Sequence, residues 1–427
     1  MREALAGLTT RGRCFAYAGL ACAVCGLLLG RHDFVGIGLF LVVLSLGAAA
    51  SVQRTRYRLT CRRVIEPARV EAGKPGRVVI RLHNVSRLPT GVMLVEDTLP
   101  YTLGARPRFV LNRLEPQGLR DVAYTLRSDV RGRYVVGPVT MRLTDPLGLC
   151  EVAQSFTSTD TLVVTPQIWP LPAMRLGAGA GGTGESRLRA AATSGEDDLG
   201  TREYRHGDDL RRIHWRSTAR AGELMVRREE QPWQSNALLV LDNRLTAHHG
   251  DGPGSSFEYA CSAAASVGVQ LLRNNFTLRL DRGEGSRLVS GPDADDGQLL
   301  DELAVAELER TSTLPGQSGA AGQRELPRFS GVVVAVLGAL SIEDAETVVR
   351  AHRGSGQRIA ITLDTRTWAP VPHSGLRSGL TADIEPDAGP RVLQAAGWRV
   401  LRIKAGTSLP EVWNVSSLAL ATAGGRA

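Results

Sequence analysis

Two apolar runs near the N-terminus, residues 14–30 and 34–52, most constrain what this chain can fold into. Each is close to the roughly 20 residues that a helix needs to cross a hydrocarbon core about 30 Å thick. Three polar residues, 31–33, separate the runs, which predicts a tight turn and a transmembrane helical hairpin. The alternatives are a cleaved signal peptide or a lipoprotein signal ending at Cys22. The second run follows at once, however, and Gly19 stands where such a lipoprotein signal has a large apolar residue.

Basic residues flank this hairpin and predict its orientation. Arginines precede the first run and are frequent after the second, namely Arg2, Arg11, Arg13, Arg54, Arg56, Arg58, Arg62 and Arg63. The turn between the runs has one Arg against one Asp. Because positively charged flanks resist translocation, both termini and the soluble domains are expected in the cytoplasm, with the protein in the inner cell membrane.

The net charge and its distribution limit which classes of molecule this protein is expected to bind. The net charge is +8 at pH 7, and arginine supplies nearly all of the positive charge because Lys74 and Lys404 are the only lysines. Acidic residues are interspersed throughout and no basic stripe with aromatic residues occurs, so no nucleic acid partner is expected. The lipid bilayer is the expected anionic partner. The six cysteines lie in the first apolar run or far apart, which predicts no disulfide framework.

Residues 57–166 alternate apolar and polar side chains in short runs that are bounded by Gly, Pro, Asn or Asp. These runs are 77–85, 92–97, 108–114, 122–128, 134–143 and 161–166. Strands at such intervals, without a helical pattern between them, predict an antiparallel β-sandwich of the immunoglobulin type. The glycine-rich stretch 176–184 follows a proline-rich segment and has no lysine, so we interpret it as a flexible linker and not as a phosphate-binding loop.

The pattern changes after residue 236 to alternating strands and helices. Strands are predicted at 237–241, 276–280, 331–337, 358–363 and 399–403. Helices are predicted at 257–273, 298–310, 342–353 and 391–396. Continuous apolar strands that alternate with helices are typical of an open parallel sheet buried on both faces.

The stretch 201–232 is the most particular in the chain, because it interleaves eight arginines and six carboxylates with apolar and aromatic residues. Arginine forks clamped on carboxylates would account for the charges, while the apolar residues would hold the segment on a domain surface. The residues with a characteristic spacing in this stretch are Arg202, Glu203, Tyr204, Gly207, Asp208, Arg211, Arg212, Ile213, Trp215, Thr218, Ala219 and Arg220. Their spacing resembles the signature of domain-of-unknown-function family fifty-eight.

Within this signature we expect a buried or half-buried ion network of Asp208, Arg211, Arg212 and Arg220, with Trp215 packed beneath it. His206 and His214 flank a pair of aspartates and could be imagined as part of a metal or catalytic cluster. The neighbouring arginines compete for the same carboxylates, so a salt-bridge network is the favoured interpretation.

The resemblance implies a membrane-anchored protein with a von Willebrand A-like domain, of a kind often encoded beside MoxR-type AAA+ ATPases. It implies an adaptor or assembly factor that works with such an ATPase, and with a transglutaminase-like membrane protein, in cell-envelope processes. The predicted organisation is a hairpin anchor at 1–55, a β-sandwich at 56–170, a linker at 171–193, the signature segment at 194–235 and a von Willebrand A-like α/β domain at 236–427.

Metal-binding von Willebrand A domains carry Asp-x-Ser-x-Ser after the first strand, where carboxylate and hydroxyls hold Mg²⁺. Here Arg244 replaces the first hydroxyl between Asp242 and Thr246, and the loop after the strand at 331–337 has no Asp. We therefore expect a degenerate site with no metal, and no other cofactor. Asp242 is expected to pair with an arginine, from the signature or elsewhere, or to cap the following turn.

Two other functions stay open. A hydrolase could place its site at the carboxyl ends of the parallel strands, near Asp242 and Asp364, although no Gly-x-Ser-x-Gly elbow occurs. An envelope-ligand sensor would require the opposite membrane topology. Enzymatic activity is thus not settled by the sequence, and the adaptor is favoured. His248 and His249 lie in a polar, glycine-rich stretch and are expected to be solvated.

Overall fold

A computed structural model describes residues 7–56, 59–87, 89–145, 147–172, 201–203, 213, 215–227, 236–283, 286–290, 296–310, 314, 331–352, 356–368 and 385–414. The chain forms two compact units, Met1–Pro166 (unit 1) and Gln167–Ala427 (unit 2).

Unit 1 begins with two long apolar helices, α1 (Thr10–Leu28) and α2 (His32–Arg56). The windows Thr10–Leu28 and His32–Ala50 have mean hydropathies of 1.2 and 2.1, so both are long and apolar enough to cross a membrane. Small residues let the helices approach closely: a Cβ on Gly38 would lie 2.5 Å from the Ala23 nitrogen. Such close small-residue packing is common between membrane helices.

The described residues after α2 in unit 1 form ten strands in three sheets. The strands are β1 (Leu59–Glu66), β2 (Arg69–Glu71), β3 (Pro75–Asn84), β4 (Val92–Asp97), β5 (Arg108–Leu111), β6 (Leu119–Arg127), β7 (Gly132–Val136), β8 (Val139–Thr144), β9 (Glu151–Phe156) and β10 (Asp160–Thr165). The sheet orders are β1-β3-β6, β2-β10-β7 and β5-β4-β8-β9. All pairs are antiparallel except β2 with β10.

Alternating burial along these strands builds two apolar cores. In β3, every second residue from Gly76 to Asn84 is buried, as expected for a strand with one face in a core. One core joins side chains of β1 and β3 with those of β4, β8 and β9. The other joins β2, β7 and β10 with β3 and β6. The run predicted at 134–143 is two strands in different sheets, because the chain turns at Gly137 (φ +107°) and Pro138 between β7 and β8.

A buried arginine connects the three sheets of unit 1. Arg63 on β1 donates through Nε and Nη2 to both oxygens of Asp97 at the end of β4, at 3.0 and 2.7 Å. Its Nη1 donates to Asp160 Oδ2 on β10 and to the Val136 carbonyl on β7, both at 2.9 Å. The Tyr124 hydroxyl on β6 donates to Asp97 at 2.7 Å. Burial opposes the charge of Arg63, but the hydrogen bonds and charges of Asp97 and Asp160 together more than offset this and raise its pKa.

Unit 2 contains a six-stranded sheet of order β15-β14-β13-β16-β17-β18, with helices alternating along the chain. Its strands are β13 (Asn236–Leu241), β14 (Thr277–Asp281), β15 (Ser286–Ser290), β16 (Val332–Leu337), β17 (Arg358–Leu363) and β18 (Arg399–Ile403). Its helices are α4 (Ser256–Arg273), α5 (Gly297–Ala304), α6 (Ile342–Ala351) and α7 (Ala388–Ala395). A short pair, β11 (Thr201–Glu203) and β12 (Met225–Arg227), and helix α3 (Trp215–Ala221) precede the sheet.

The predicted parallel sheet is present, since β14, β13, β16, β17 and β18 run parallel. The antiparallel edge strand β15 was not predicted. The helix predicted at 298–310 is too long, because α5 ends at Ala304. The backbone of Glu309 instead exchanges hydrogen bonds with the chain after β13: it donates to the Asn243 carbonyl at 2.8 Å and accepts from Leu245 at 2.7 Å.

Candidate functional site

The candidate site lies at the carboxyl end of β13, a central strand of the parallel sheet. Residues 237–241 of this strand are buried, and Asp242 follows immediately with its side chain wholly inaccessible. In open sheets of this kind, ligands bind outside the carboxyl ends of the strands. The chemistry available to Asp242 therefore decides what this edge can do.

The guanidinium of Arg244 occupies both oxygens of Asp242. Its Nε donates to Oδ1 at 2.9 Å and its Nη2 donates to Oδ2 at 3.0 Å. The backbone nitrogen of Arg244 adds a third bond to Oδ1 at 3.2 Å, and that of Gly338 approaches Oδ2 at 3.4 Å. The arginine partner of Asp242 is thus two residues along the chain and does not come from the signature segment.

The third nitrogen of the guanidinium reaches a second carboxylate. Arg244 Nη1 lies 3.1 Å from Oδ2 of Asp344, which is in the first turn of α6. Asp344 also caps that helix, because its side chain accepts from the Ser341 nitrogen while the Ser341 hydroxyl accepts from the Asp344 nitrogen. Sequence reasoning missed Asp344, although Ser341 followed three residues later by an acidic residue is a sequence pattern of helix starts.

Burial and charge act in opposite directions on this pair. Burial by itself would raise the pKa of Asp242, but the adjacent Arg244 charge and its hydrogen bonds hold that pKa below its ordinary value. Burial likewise opposes the charge on Arg244, and Asp242 raises the Arg244 pKa instead. Both groups are therefore charged at physiological pH.

The residues at this edge do not fit a divalent cation. Mg²⁺ requires short, near-octahedral bonds to oxygen, and both Asp242 oxygens already accept hydrogen bonds from a permanent cation. Thr246, at the last hydroxyl position of the degenerate motif, is exposed to solvent. Within the part of the chain that the structure describes, no group of three His, Cys, Asp or Glu residues could hold a metal ion.

The expectation that His248 is solvated is wrong. Its ring is buried, with Nε2 2.7 Å from the Asp242 carbonyl oxygen and Nδ1 3.2 Å from the Ser256 hydroxyl. Because a carbonyl only accepts, we assign the proton to Nε2, so that the Ser256 hydroxyl donates to Nδ1. Burial lowers the pKa of His248 and favours this neutral form. The polar loop was misjudged because it folds inward, where the ring packs edge-on against Phe257.

A cavity of about 340 Å³ opens at the same edge of the sheet, beyond β16 and β17. Its polar lining includes Asp364, Arg366, Asp387, Arg402 and Lys404. The Arg402 and Asp387 side chains pair at 2.7 Å, and those of Arg366 and Asp364 lie 3.6 Å apart. Of the two aspartates considered for a hydrolase, Asp364 lines this cavity. Asp242 does not line it and is neutralised by Arg244.

The signature segment is only partly described. Arg202 and Glu203 lie in β11, Ile213 bridges to Val226 of β12, and Trp215, Thr218, Ala219 and Arg220 lie in α3. The Thr218 hydroxyl accepts from the Met225 nitrogen at 3.0 Å and so ties α3 to β12. Tyr204, His206, Gly207, Asp208, Arg211, Arg212 and His214 lie outside the described residues, and so do most members of the predicted ion network.

One part of the prediction for the signature is wrong. Trp215 is 69% exposed and is not packed beneath other residues of the segment. Arg220, the network member that the structure does describe, is exposed as well. An exposed tryptophan at the start of a short helix is suited to contact another molecule, since aromatic residues are enriched in protein interfaces.

Comparison with known proteins supports the resemblance noted in the sequence. Residues 200–378 match the model of a family described as "Protein of unknown function DUF58". The uncharacterized protein YeaD of Bacillus subtilis (strain 168) is 27% identical over 250 residues, which are 57% of this chain and 58% of YeaD. The match thus spans less than two thirds of that relative.

Two solved structures of the CARDB domain of the PF1109 protein from Pyrococcus furiosus also match a quarter of the chain. The solution structure is 14% identical and covers 25% of this chain and 94% of that domain, with a TM-score of 0.19. The crystal structure, in complex with di-metal ions, is 16% identical and covers 25% and 91%, also with a TM-score of 0.19. Over residues 200–378, this chain is similar to the DUF58 family.

Proposed function

We propose that this protein is a membrane-anchored adaptor or assembly factor whose von Willebrand A-like unit binds a protein partner without a metal ion. The observation that carries the proposal is the Arg244 guanidinium, which supplies a built-in cation between Asp242 and Asp344. Because this cation is part of the chain, the end of β13 cannot gain or lose it as it could a metal ion. Recognition there would therefore depend on surface shape and charge, and not on a shared metal ligand.

The proposed partner is a MoxR-type AAA+ ATPase, with a transglutaminase-like membrane protein as a second partner in cell-envelope processes. These partners follow from the family resemblance, which the DUF58 match over residues 200–378 supports in its coarser form. The exposed Trp215 offers a docking residue within the signature. The β unit, interpreted as a sandwich, would serve as a spacer between the bilayer and unit 2.

Affinity capture from solubilised membranes tests the adaptor role. We expect the intact chain to retain the ATPase, and Trp215→Ala to lose it without a change in melting temperature, because the side chain is exposed. Tyr101→Ala, at an exposed aromatic residue of unit 1, is the matched control and should retain the ATPase. Equal recovery with all three proteins would contradict docking through the signature.

Calorimetry tests the metal-free site on the full-length protein in detergent. We expect titration with Mg²⁺ or Mn²⁺ to give the same heat with the wild-type protein as with Asp242→Ala. The reason is that Arg244 already neutralises the Asp242 carboxylate. Micromolar binding that disappears in Asp242→Ala would return the site to metal-dependent chemistry.

The proposal also places the soluble units in the cytoplasm of a cell with an inner membrane, since arginines flank the hairpin on its outer ends. An impermeant thiol reagent applied to intact cells should label Asp33→Cys, in the first turn of α2 beside the hairpin turn. It should label Glu346→Cys, on the exposed face of α6, only after permeabilisation. Labelling of Glu346→Cys in intact cells would instead favour an envelope-ligand sensor.

A further inference from the structure

The loop between β8 and β9 is attached to the start of the helical hairpin. The Thr9 nitrogen donates to the Leu149 carbonyl at 3.0 Å, and its hydroxyl donates to the Gly148 carbonyl at 2.8 Å. The Glu151 nitrogen donates to the Gly7 carbonyl at 2.8 Å. These bonds fix the loop beside α1.

The attachment is tight enough to require a glycine in α1. A Cβ at Gly12 would lie only 2.0 Å from the Leu149 carbonyl oxygen, closer than any real contact. The position of the loop against the helix is therefore set by backbone contact and not by flexible side chains.

Asp145 shapes the loop and presents Leu147. Its two carboxylate oxygens accept from the Leu147 nitrogen at 3.0 Å and from the Cys150 nitrogen at 2.6 Å. The Asp145 side chain is buried, whereas the Leu147 side chain is 56% exposed. Leu149, two residues on, is buried. Among the described residues of this loop, Leu147 is thus the large apolar residue that is exposed.

Leu147 shares an apolar groove with α2. The groove has a volume of about 390 Å³ and is lined by Phe40, Val43, Leu44, Gly47 and Ala48 of α2 together with Asp145 and Leu147. Phe40 and Val43 are exposed as Leu147 is, so the apolar surface continues from the helix onto the loop.

We propose that Leu147 inserts into the acyl-chain region of the membrane beside α2 and forms a third membrane contact of unit 1. This inference rests on the proposed membrane anchoring by α1 and α2. The segment that crosses by length and composition ends at Ala50, and residues 40–48 cover about 12 Å of helix at roughly 1.5 Å per residue. A side chain that shares their groove would lie at the depth of these residues, within the span that is long and apolar enough to cross.

The occupant of the groove is therefore lipid. An apolar side chain beside a membrane helix gains free energy from leaving water, as interfacial anchors do. Arg11 and Arg13, in the first turn of α1, have long side chains that would extend to anionic headgroups just outside this level. Such a contact would hold the β unit at a fixed height against the bilayer.

Quenching of tryptophan by brominated lipid chains tests this depth. The full-length variants Leu147→Trp, Phe40→Trp and Tyr101→Trp would be reconstituted into vesicles of phosphatidylethanolamine and phosphatidylglycerol, with and without brominated chains. Tyr101 is 91% exposed on unit 1 and is the aromatic control. The fluorescence of the wild-type protein, whose six tryptophans all lie after residue 166, is subtracted. Circular dichroism and melting of each variant check that it folds.

We expect the fluorescence added at position 147 to be quenched by brominated chains as strongly as that at position 40, and to be shielded from iodide in the water. The signal at position 101 should show the reverse. Quenching at 40 but not at 147 would overturn the inference, whatever else covers the groove. Absence of quenching at 40 would overturn the membrane anchor itself, and the inference with it.

Discussion

Each unit of the molecule places one buried arginine between a fully buried aspartate and a less buried one. In unit 1, Arg63 lies between Asp97 and Asp160, whose side chain is 43% exposed. In unit 2, Arg244 lies between Asp242 and Asp344, whose side chain is 23% exposed. The chemistry is the same, but the connections differ.

Arg63 pairs with residues 34 and 97 positions away and joins three sheets. Arg244 makes its main pair with a residue two positions away, so it closes a local turn at the end of one strand. The first arrangement stabilises the assembly of a whole unit. The second sets the state of one sheet edge, which is where a function of unit 2 would be found.

The largest expected effect comes from removing the fully buried carboxylate in either unit. Asp97→Ala and Asp242→Ala each leave a buried guanidinium with only its outer aspartate, which typically costs about 3 to 5 kcal/mol of unfolding free energy. Hydrogen exchange of the full-length protein, followed by mass spectrometry, should show faster exchange throughout unit 1 for Asp97→Ala.

The same measurement on Asp242→Ala should show faster exchange in β13, β16 and α6, with unit 1 unchanged. Asp121→Ala removes an exposed pair with Arg81 and is the control, which should change neither unit. Equal effects of Asp97→Ala and Asp242→Ala on both units would break the distinction between long-range and local pairs.

Lowering the pH should destabilise unit 2 more than unit 1. Burial lowers the pKa of His352, in unit 2, from 6.5 to about 4, and within the described part of unit 1 no histidine is buried. Between these values the unfolded chain binds a proton that the folded unit 2 does not. The stability from His352 is thus complete above pH 6.5 and lost as pH falls towards 4, by about 3 kcal/mol in total.

Tryptophan fluorescence measures this loss, because all six tryptophans lie in unit 2. The unfolding midpoint in urea should decrease from pH 7 to pH 4.5, and less steeply in His352→Leu. The pKa of Asp242 is held below its ordinary value, so its pair with Arg244 contributes little to this window. An equal slope in His352→Leu and wild type would contradict the assignment.

An intermediate effect is expected when lysine replaces either arginine. Lysine carries a compact charge and cannot bond two oxygens of one carboxylate in the planar fork that arginine provides. Arg63→Lys should cost about 1.5 to 3 kcal/mol, the usual contribution of a charged hydrogen bond. Arg244→Lys should cost less, because Arg63 also bonds the Val136 carbonyl. Urea unfolding with Arg81→Lys as control checks the order, and a greater loss for Arg244→Lys would refute it.

The smallest effect is expected at the outer aspartates. Asp160→Asn and Asp344→Asn remove charges that solvent partly screens, and such pairs contribute at most about 1 kcal/mol. Asp344→Asn should lower the free energy of unfolding more than Asp160→Asn does, since Asp344 is less exposed and also caps α6. Urea midpoints decide this. A loss as great as that of Asp242→Ala would mean that the outer carboxylate is the main partner of Arg244.

The sequence predicts what depends on neighbouring residues. The strands β13, β16, β17 and β18 lie within one residue of their predicted bounds, because each is a short apolar run with polar ends. An arginine partner for Asp242 was expected, but the signature segment was named as its possible source, and Arg244, only two residues away, was not identified as that partner. The network around Arg63 was missed because its members lie on five strands, and no local pattern shows which sheet edges meet.

Composition misled the prediction where tertiary packing overrides it. The loop that holds His248 is polar and rich in glycine, yet the ring is buried between Ser256 and Phe257. Trp215 was expected to be packed because apolar residues within a charged segment would hold it on a domain surface, yet Trp215 is exposed on α3. The edge strand β15 was missed because its partner register with β14 contains a bulge and its run is only five residues long.

The bonds between Thr9 and the loop before β9 impose an order on biosynthesis. Residues 9 and 149 are 140 positions apart, so α1 leaves the ribosome long before its partner loop exists. At roughly 5 to 20 residues per second, the delay is on the order of 10 s. During that interval the side of Gly12 that contacts the Leu149 carbonyl in the folded protein has no loop against it. The β unit can pack against α1 only after translation has passed Glu151, so this junction cannot initiate folding of unit 1.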